Sequence, residues 1–302
     1  MIRMRLLAFE YACAGGEGGE PFLDEGLKML SHLLRDLSKL GLERVTTIRS
    51  ASLRAVPLLA DKVLSTEGEF LKAYAEALME HDAVWIIAPE CDGRLLELTR
   101  IAESSGKLVM GSSSSAVEIC GDKFLTYKAL AGMVPTPPTR PFNGFFDEFP
   151  CIVKPADGAG CSNTFYVESE KDASRFAPPP GKFVVQPLVE GEPMSAGVVS
   201  NRDEAVLLGV SRQLIETGPV LNYRGVEGPV DYPLRSAVED MIKTVKNRIP
   251  GLNGYWGVDF IDADSGPVLM EINPRLTSSY PLYGGIVPFQ MLFPQWASGV
   301  AR

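Results

Sequence analysis

The stretch VLMEINPRLTSSY, residues 268–280, begins as an apolar strand and then carries Glu271, Asn273 and Arg275 on alternate positions. Residues two apart on a strand point to the same face. A carboxylate, an amide and a guanidinium therefore share one side of a segment that otherwise looks like core. Asp259, on the preceding strand YWGVDFI at 255–261, can meet Glu271 and Asn273 across the hairpin. Hard oxygen donors of this kind, completed by phosphate oxygens, suit a magnesium ion.

Two lysines complement that set. Lys154 ends the apolar strand CIVKP at 151–155 and is followed by ADGAGCSN, whose Gly158 and Gly160 let backbone N–H groups lie over phosphates. Lys123 lies in DKFLTYKAL, residues 122–130, which reads as a helix. Paired cations of this kind suit a triphosphate, whose charge must be neutralised as bonds to phosphorus change. Singly, each feature has a plain structural reading: an E-x-N on a solvated strand edge, a surface lysine, a glycine turn. In this order, with QPLVEG at 186–191 between them, they rarely co-occur by chance.

The elements that must position these residues fall into two styles. Residues 4–9 read as a buried strand, followed by a turn at Gly15, Gly16, Gly18 and Gly19. A helix over 22–40 follows, with Leu27, Leu30, Leu34 and Leu37 at helical spacing and Gly41 as its stop. Strands at 45–48, 83–89 and 107–110 alternate with helices around 67–80 and 92–105, which predicts a parallel sheet covered on both faces. Ligands of such sheets bind beyond the carboxyl ends of the strands, so Glu10 and the glycines after it are either a substrate loop or a flexible surface loop. The glycines do not follow GxGxxG. After GSSSSA at 111–116 and the 122–130 helix, the proline-dense stretch at 133–150 reads as extended linker. Strands then dominate, at 151–155, 164–167, 182–189, 194–200, 205–210, 255–261 and 267–272, with one helix at 234–249. No internal repeat is evident. The expected division is 1–110, 111–183 and 184–302.

The 302 residues suit two or three subdomains. With 29 basic against 38 acidic residues and a formal charge of −9, a nucleic acid or an anionic membrane is a poor main partner. Cys13, Cys91, Cys120, Cys151 and Cys161 show no CxxC spacing, and His32 and His81 are the only histidines. Zinc sites and a histidine-based triad are disfavoured, and the thiols read as buried, reduced residues of a cytoplasmic protein. The N-terminal apolar run ends at Glu10, too short for a signal peptide, and no stretch reaches membrane-span length.

GDKFLTYKALAGMVPTPPT, PCIVKPADGAGCSNTFYV, VVQPLVEGEPMS and GVDFIDADSGPVLMEINPR together resemble the ATP-grasp superfamily over about residues 110–280. The resemblance implies an α/β chain, α+β in its C-terminal part, with the ATP-grasp fold preceded by a Rossmann-like parallel-sheet domain. It makes Lys123 and Lys154 phosphate ligands and the 157–162 loop, with Gly158, Gly160 and Ser162, a phosphate cover. Gln186, Pro187, Leu188 and Val189 become the hinge that meets adenine. Asp259, Glu271 and Asn273 become ligands of Mg²⁺ or Mn²⁺, and Arg275 joins Lys154 in catalysis by steadying the transferred phosphoryl group. Many members carry an acid for the ribose where this chain has Pro193, so Glu190 or Glu192 must substitute, or the ribose is held otherwise. Most such enzymes phosphorylate a carboxylate and let an amine displace phosphate from the acyl phosphate, releasing ADP.

FEYACAGG, EGLKML and the overall length further resemble the archaeal tyramine–glutamate ligases of methanofuran biosynthesis. That resemblance implies small-molecule partners, an amino acid and an aromatic amine. Glu10 is then a candidate for the ammonium group, Arg212, Arg224 and Arg275 for carboxylates, and Tyr11, Tyr223 and Tyr280 for a phenol ring, each with a structural role as its alternative. A ligase for another acid and amine, and a nucleotide-binding protein without turnover, are the competing readings. Homodimers are common in the superfamily.

Overall fold

On the first strand, Leu6 and Ala8 are buried on one side and Leu7 and Phe9 on the other, as a strand covered on both faces requires. The computed structural model describes residues 2–284 and 288–292. Its first part runs β1 (Ile2–Glu10), α1 (Leu23–Leu37), β2 (Leu42–Ser50), β3 (Lys62–Thr66), α2 (Phe70–Met79), β4 (Ala83–Ile87), α3 (Arg94–Ser104) and β5 (Leu108–Val109). The five strands form a parallel sheet in the order β3-β2-β1-β4-β5. Leu30, Leu33, Leu34 and Leu37 of α1 cover one face, while α2 and α3 cover the other. The order reverses between β1 and β4, so the crevice at their carboxyl ends is the natural ligand-facing edge. Glu10 ends β1 there, and Glu90 follows β4.

The second part runs α4 (Ser114–Cys120), α5 (Lys123–Leu130), β6 (Arg140–Pro141), β7 (Cys151–Pro155), β8 (Thr164–Val167), α6 (Glu170–Ala173), β9 (Phe183–Pro187) and β10 (Glu192–Ser200). It continues with β11 (Ala205–Glu216), β12 (Val220–Val230), α7 (Arg235–Arg248), β13 (Gly254–Ala263), β14 (Gly266–Asn273) and α8 (Phe289–Leu292). Its strands form one nine-stranded antiparallel sheet, β14-β13-β10-β11-β12-β8-β7-β9-β6. The mixed α/β class, with an antiparallel second part, is the one the sequence implies.

Several elements differ from expectation, among them the short helices α4 and α6. The segment 62–66 is an edge strand, 220–230 is a full strand, and 205–210 extends to residue 216. The proline-dense stretch is also not a bare linker. It contributes β6, and Phe142 and Phe146 pack with Phe165 and Phe176 over β7–β9.

Packing cuts across chain order. Ala116, Cys120, Leu130 and Val134 bury themselves against β10, β13 and α7, and a division at residue 183 falls at the start of β9, which pairs with β7. Val199, Tyr255, Leu276 and Tyr280 join the α1 core of the first part. Residues beyond 292, the end of the expected third unit, lie outside the described residues. Among the described residues no helix is long and apolar enough to cross a membrane.

Candidate active site

A cavity of about 710 Å³ opens between the two halves of the antiparallel sheet. Lys154 reaches it from the end of β7, Lys123 from the first turn of α5, and Asp259, Glu271 and Asn273 from β13 and β14. Asp122 caps α5 by accepting from the amides of Phe124 and Leu125, which fixes the helix start that carries Lys123. Asp259 and Glu271 are direct cross-strand partners, with a register shift immediately after Asp259. Asn273 Nδ2 donates to Asp259 Oδ2 at 3.0 Å. The hairpin thus brings together the three oxygen-bearing residues that the spacing proposes.

Two carboxylates placed opposite each other repel. Burial and the Glu271 charge push Asp259 up to about 6, partly offset by hydrogen bonds from Ser195, Asn273 and Gln213. Lys123 answers the repulsion with a 3.2 Å ion pair to Glu271, and its Nζ also donates to the Gly158 carbonyl at 2.8 Å. Lys154, only 8% exposed, is lowered to about 8 by burial and by the neighbouring Lys123. Asp259 beside Glu271, and Lys154 beside Lys123, are each left crowded by a like charge, which fits a divalent cation and phosphates bound together. Among the described residues no group of three or more His, Cys, Asp and Glu is disposed to hold a metal, so the donor set is two carboxylates and an amide.

The glycine loop after Lys154 passes through left-handed conformations at Gly160, Cys161 and Asn163. Asp157 accepts from the Asp92 amide at 3.0 Å, tying this loop to the turn after β4. Gly158, Gly160 and Ser162 line the cavity, as do Leu188 and Val189 at its apolar end with Ile152 and Met270.

A model of the ATP-grasp domain matches residues 120–279, and one of the pre-ATP-grasp 3 domain matches residues 43–117. The chain belongs to the ATP-grasp family. A tyramine–L-glutamate ligase of Methanocaldococcus jannaschii is 29% identical over 297 residues, covering 94% of this chain and 85% of that protein. One from Methanocaldococcus fervens is 31% identical over 92% of this chain and 88% of its own length. D-alanine–D-alanine ligase of Thermotoga maritima is 25% identical over 73% of this chain and 78% of that protein. Among solved structures, a putative ATP-grasp superfamily protein from Archaeoglobus fulgidus superposes with a TM-score of 0.74 at 25% identity, covering 98% of this chain and 88% of that one. These relatives make this ATP-grasp protein an ATP-dependent carboxylate–amine ligase. ATP-grasp ligases bind ATP with a divalent metal.

Other residues proposed from this ATP-grasp sequence fall elsewhere. Gln186 and Pro187 line a second cavity of about 260 Å³, where Gln186 Nε2 donates to Thr139 Oγ1 and its Oε1 is buried without a partner. Glu192 is ion-paired to Arg212, and Arg224 to Glu216, all at exposed positions that do not line the large cavity. Their cross-strand acids already satisfy both arginines. Glu10 is 3% exposed, with Oε2 accepting from the Cys13 amide at 2.6 Å. Tyr11 donates to the Glu17 carbonyl and Tyr280 to Asp36, both from buried positions. Of the three tyrosines only Tyr223 lines the cavity, its hydroxyl against Ser278. Cys91 and Cys161 are half-buried rather than buried.

Arg275 lines the cavity while its guanidinium grips Glu90 Oε2 at 2.7 and 3.1 Å. Glu90 and Glu25 are the residues sequence reasoning missed. Glu90 follows the apolar run AVWIIAP and was reachable by the carboxyl-end rule applied to Glu10. Glu25 had no such signal.

Proposed function

We propose that this ligase joins the side-chain carboxylate of L-glutamate to tyramine through an acyl phosphate. The observation that carries the substrate pair is the likeness to two tyramine–L-glutamate ligases over more than nine-tenths of the chain. The cavity supports the chemistry: a cationic, metal-suited end beside an apolar end.

Leu188 and Val189 offer the apolar wall for adenine, and Lys154 and Lys123 the charge for the phosphates. Lys123, held to the Gly158 carbonyl, ties the phosphate loop to the helix that carries it. Asp259, Glu271 and Asn273 would hold magnesium, with manganese as a substitute; when bound, the ion neutralises phosphate charge and aligns the triphosphate. Arg275 reaches the same space and meets the phosphoryl group as it passes to the substrate carboxylate. That activation is needed because a carboxylate is a poor electrophile, whereas an acyl phosphate loses phosphate readily to an amine. The ribose is met by the backbone around Gly191 and Pro193, which line the cavity where Glu192 does not.

The test is phosphate release from ATP and Mg²⁺ by the purified chain with glutamate and a panel of amines, with products identified by mass spectrometry. Release that requires both glutamate and tyramine, with the amide detected, is the expected result. Release with D-alanine alone, or with another acid and amine but not this pair, would overturn the substrate assignment. Sizing of the same preparation tests the homodimer that the family resemblance implies.

A further inference from the structure

Three carboxylates line the large cavity, Glu25, Asp259 and Glu271, together with three cations, Lys123, Lys154 and Arg275. Two of the carboxylates form the cross-strand pair suited to a metal, and one of them also engages Lys123. Arg275 is committed to Glu90. Among the described residues, Glu25 and Lys154 are the two of these six without an ion-pair or hydrogen-bond partner.

Glu25 sits in the first turn of α1, on the part of the molecule that precedes the ATP-grasp domain. Burial raises its carboxyl above the usual range, Arg275 and Lys28 act on it through their charge, and among the described residues no hydrogen bond holds it. Holding a partly desolvated carboxylate without a partner costs free energy that a bound cation would offset. An anionic substrate group would be repelled there, so the charge discriminates for an ammonium.

The wall beside it is apolar and aromatic. Tyr223 feels the Glu25 charge and presents its ring to the cavity, with Ile215, Leu221 and Val226 on the same two strands. The Tyr223 hydroxyl is engaged by Ser278, which pins the ring as a flat surface.

We propose that Glu25 and the Tyr223 wall form the amine subsite, in which Glu25 receives the ammonium of a primary arylalkyl amine and Tyr223 packs against its ring. This deepens, and rests on, the tyramine reading above. Glu10, the carboxylate that the sequence suggests for this task, is instead sealed behind Gly26 of α1. Glu25 takes its place one residue before that glycine.

Binding separates this inference from turnover. Tyramine and 4-ethylphenol share a ring and differ in the cation, so their affinities are compared by calorimetry in wild type and in Glu25→Gln, both with ADP and Mg²⁺ present. Wild type is expected to prefer tyramine at least tenfold, and Glu25→Gln to bring the two within about twofold. The ratio is taken within one protein and does not depend on the folded fraction. A wild type without the preference, or a variant that keeps it, overturns the assignment. So does a variant whose tyramine preference persists while glutamate binding weakens, because the carboxylate would then serve the amino acid. Absence of the amide in the phosphate-release experiment overturns the tyramine–glutamate reading, and the binding ratio still decides the role of Glu25.

Discussion

At Lys154 the fold holds a largely buried cation on the cavity wall, with Lys123 as a neighbouring like charge and Glu271 and Asp259 as partial counterweights. Its value near 8 lies below the ordinary 10.5, so between these pH values the unfolded chain binds more protons than the folded one. Stability of the nucleotide-free protein therefore rises with pH through that window, and below pH 8 the full penalty applies, about 3 kcal/mol. Triphosphate bound at the proposed site would reverse the shift. Binding of ATP with Mg²⁺ near pH 9 is expected to take up close to one proton, read by calorimetry in buffers of different ionisation enthalpy, and Lys154→Arg should abolish the uptake. Equal uptake in both proteins would remove Lys154 from the phosphate site. Asp259, Glu271 and Asn273 come together as the sequence proposes because a period of two and a hairpin place them by local rules, whereas Lys123 and Lys154 were singled out by the glycine loop and the family resemblance. Glu25 was not, since tertiary docking alone brings α1 to the large cavity, whereas the carboxyl-end rule reaches Glu90 but not its pairing with Arg275. Arg212 and Arg224 lie off the large cavity, paired with Glu192 and Glu216, and nothing in their own neighbourhoods announces those partners.

Among the elements, α1 shows how a helix is seated by what it lacks. A Cβ at Gly26 would lie 2.6 Å from the Glu10 carboxyl carbon and oxygen. Glu10 cannot swing aside, because it is buried and takes the Cys13 amide hydrogen. Gly26→Ala must therefore lift α1 from β1 or strip Glu10 of its partner, although alanine is intrinsically the better helix former. A loss of about 1–3 kcal/mol is expected in urea unfolding, and a gain in stability would show that the close contact is absent. The helix itself was readable from its leucines. The edge strand β3 was not, having half-buried residues over most of its length and no alternation to mark it. Two glycines and a proline obscured β12, and its exposed and half-buried positions make it a ribbon continued from β11 rather than a core strand. Seven residues of α4 are too few for a helical period, leaving Ser113, which caps the Ala116 amide, as its clearest local sign.

For the whole molecule, the subdomains that the sequence suggests share a core across their junction. Leu6, Ala8 and Trp85 of the parallel sheet share a core with Val199, Tyr255, Leu276 and Tyr280. Tyr280 also donates to the buried Asp36 of α1 at 2.9 Å. The Arg275–Glu90 pair, 13% and 4% exposed, crosses the same junction, and separating such a pair leaves a buried charge at a cost of about 3–5 kcal/mol. Opening the junction would expose aromatic core and strand that charge together, so neither part has a stable surface of its own there. Chains of this size often unfold domain by domain; here a single calorimetric transition is expected. The proposed ATP and Mg²⁺ site lies on residues of the second part, yet through the shared core the ligand should move the entire transition. At a hundredfold excess over Kd the linkage amounts to about 2.7 kcal/mol, a rise of roughly 5 °C for a protein of this length. Two transitions, with only the upper one displaced by nucleotide, would instead show that the parallel-sheet part melts alone and that the junction does not bind the halves into one cooperative unit.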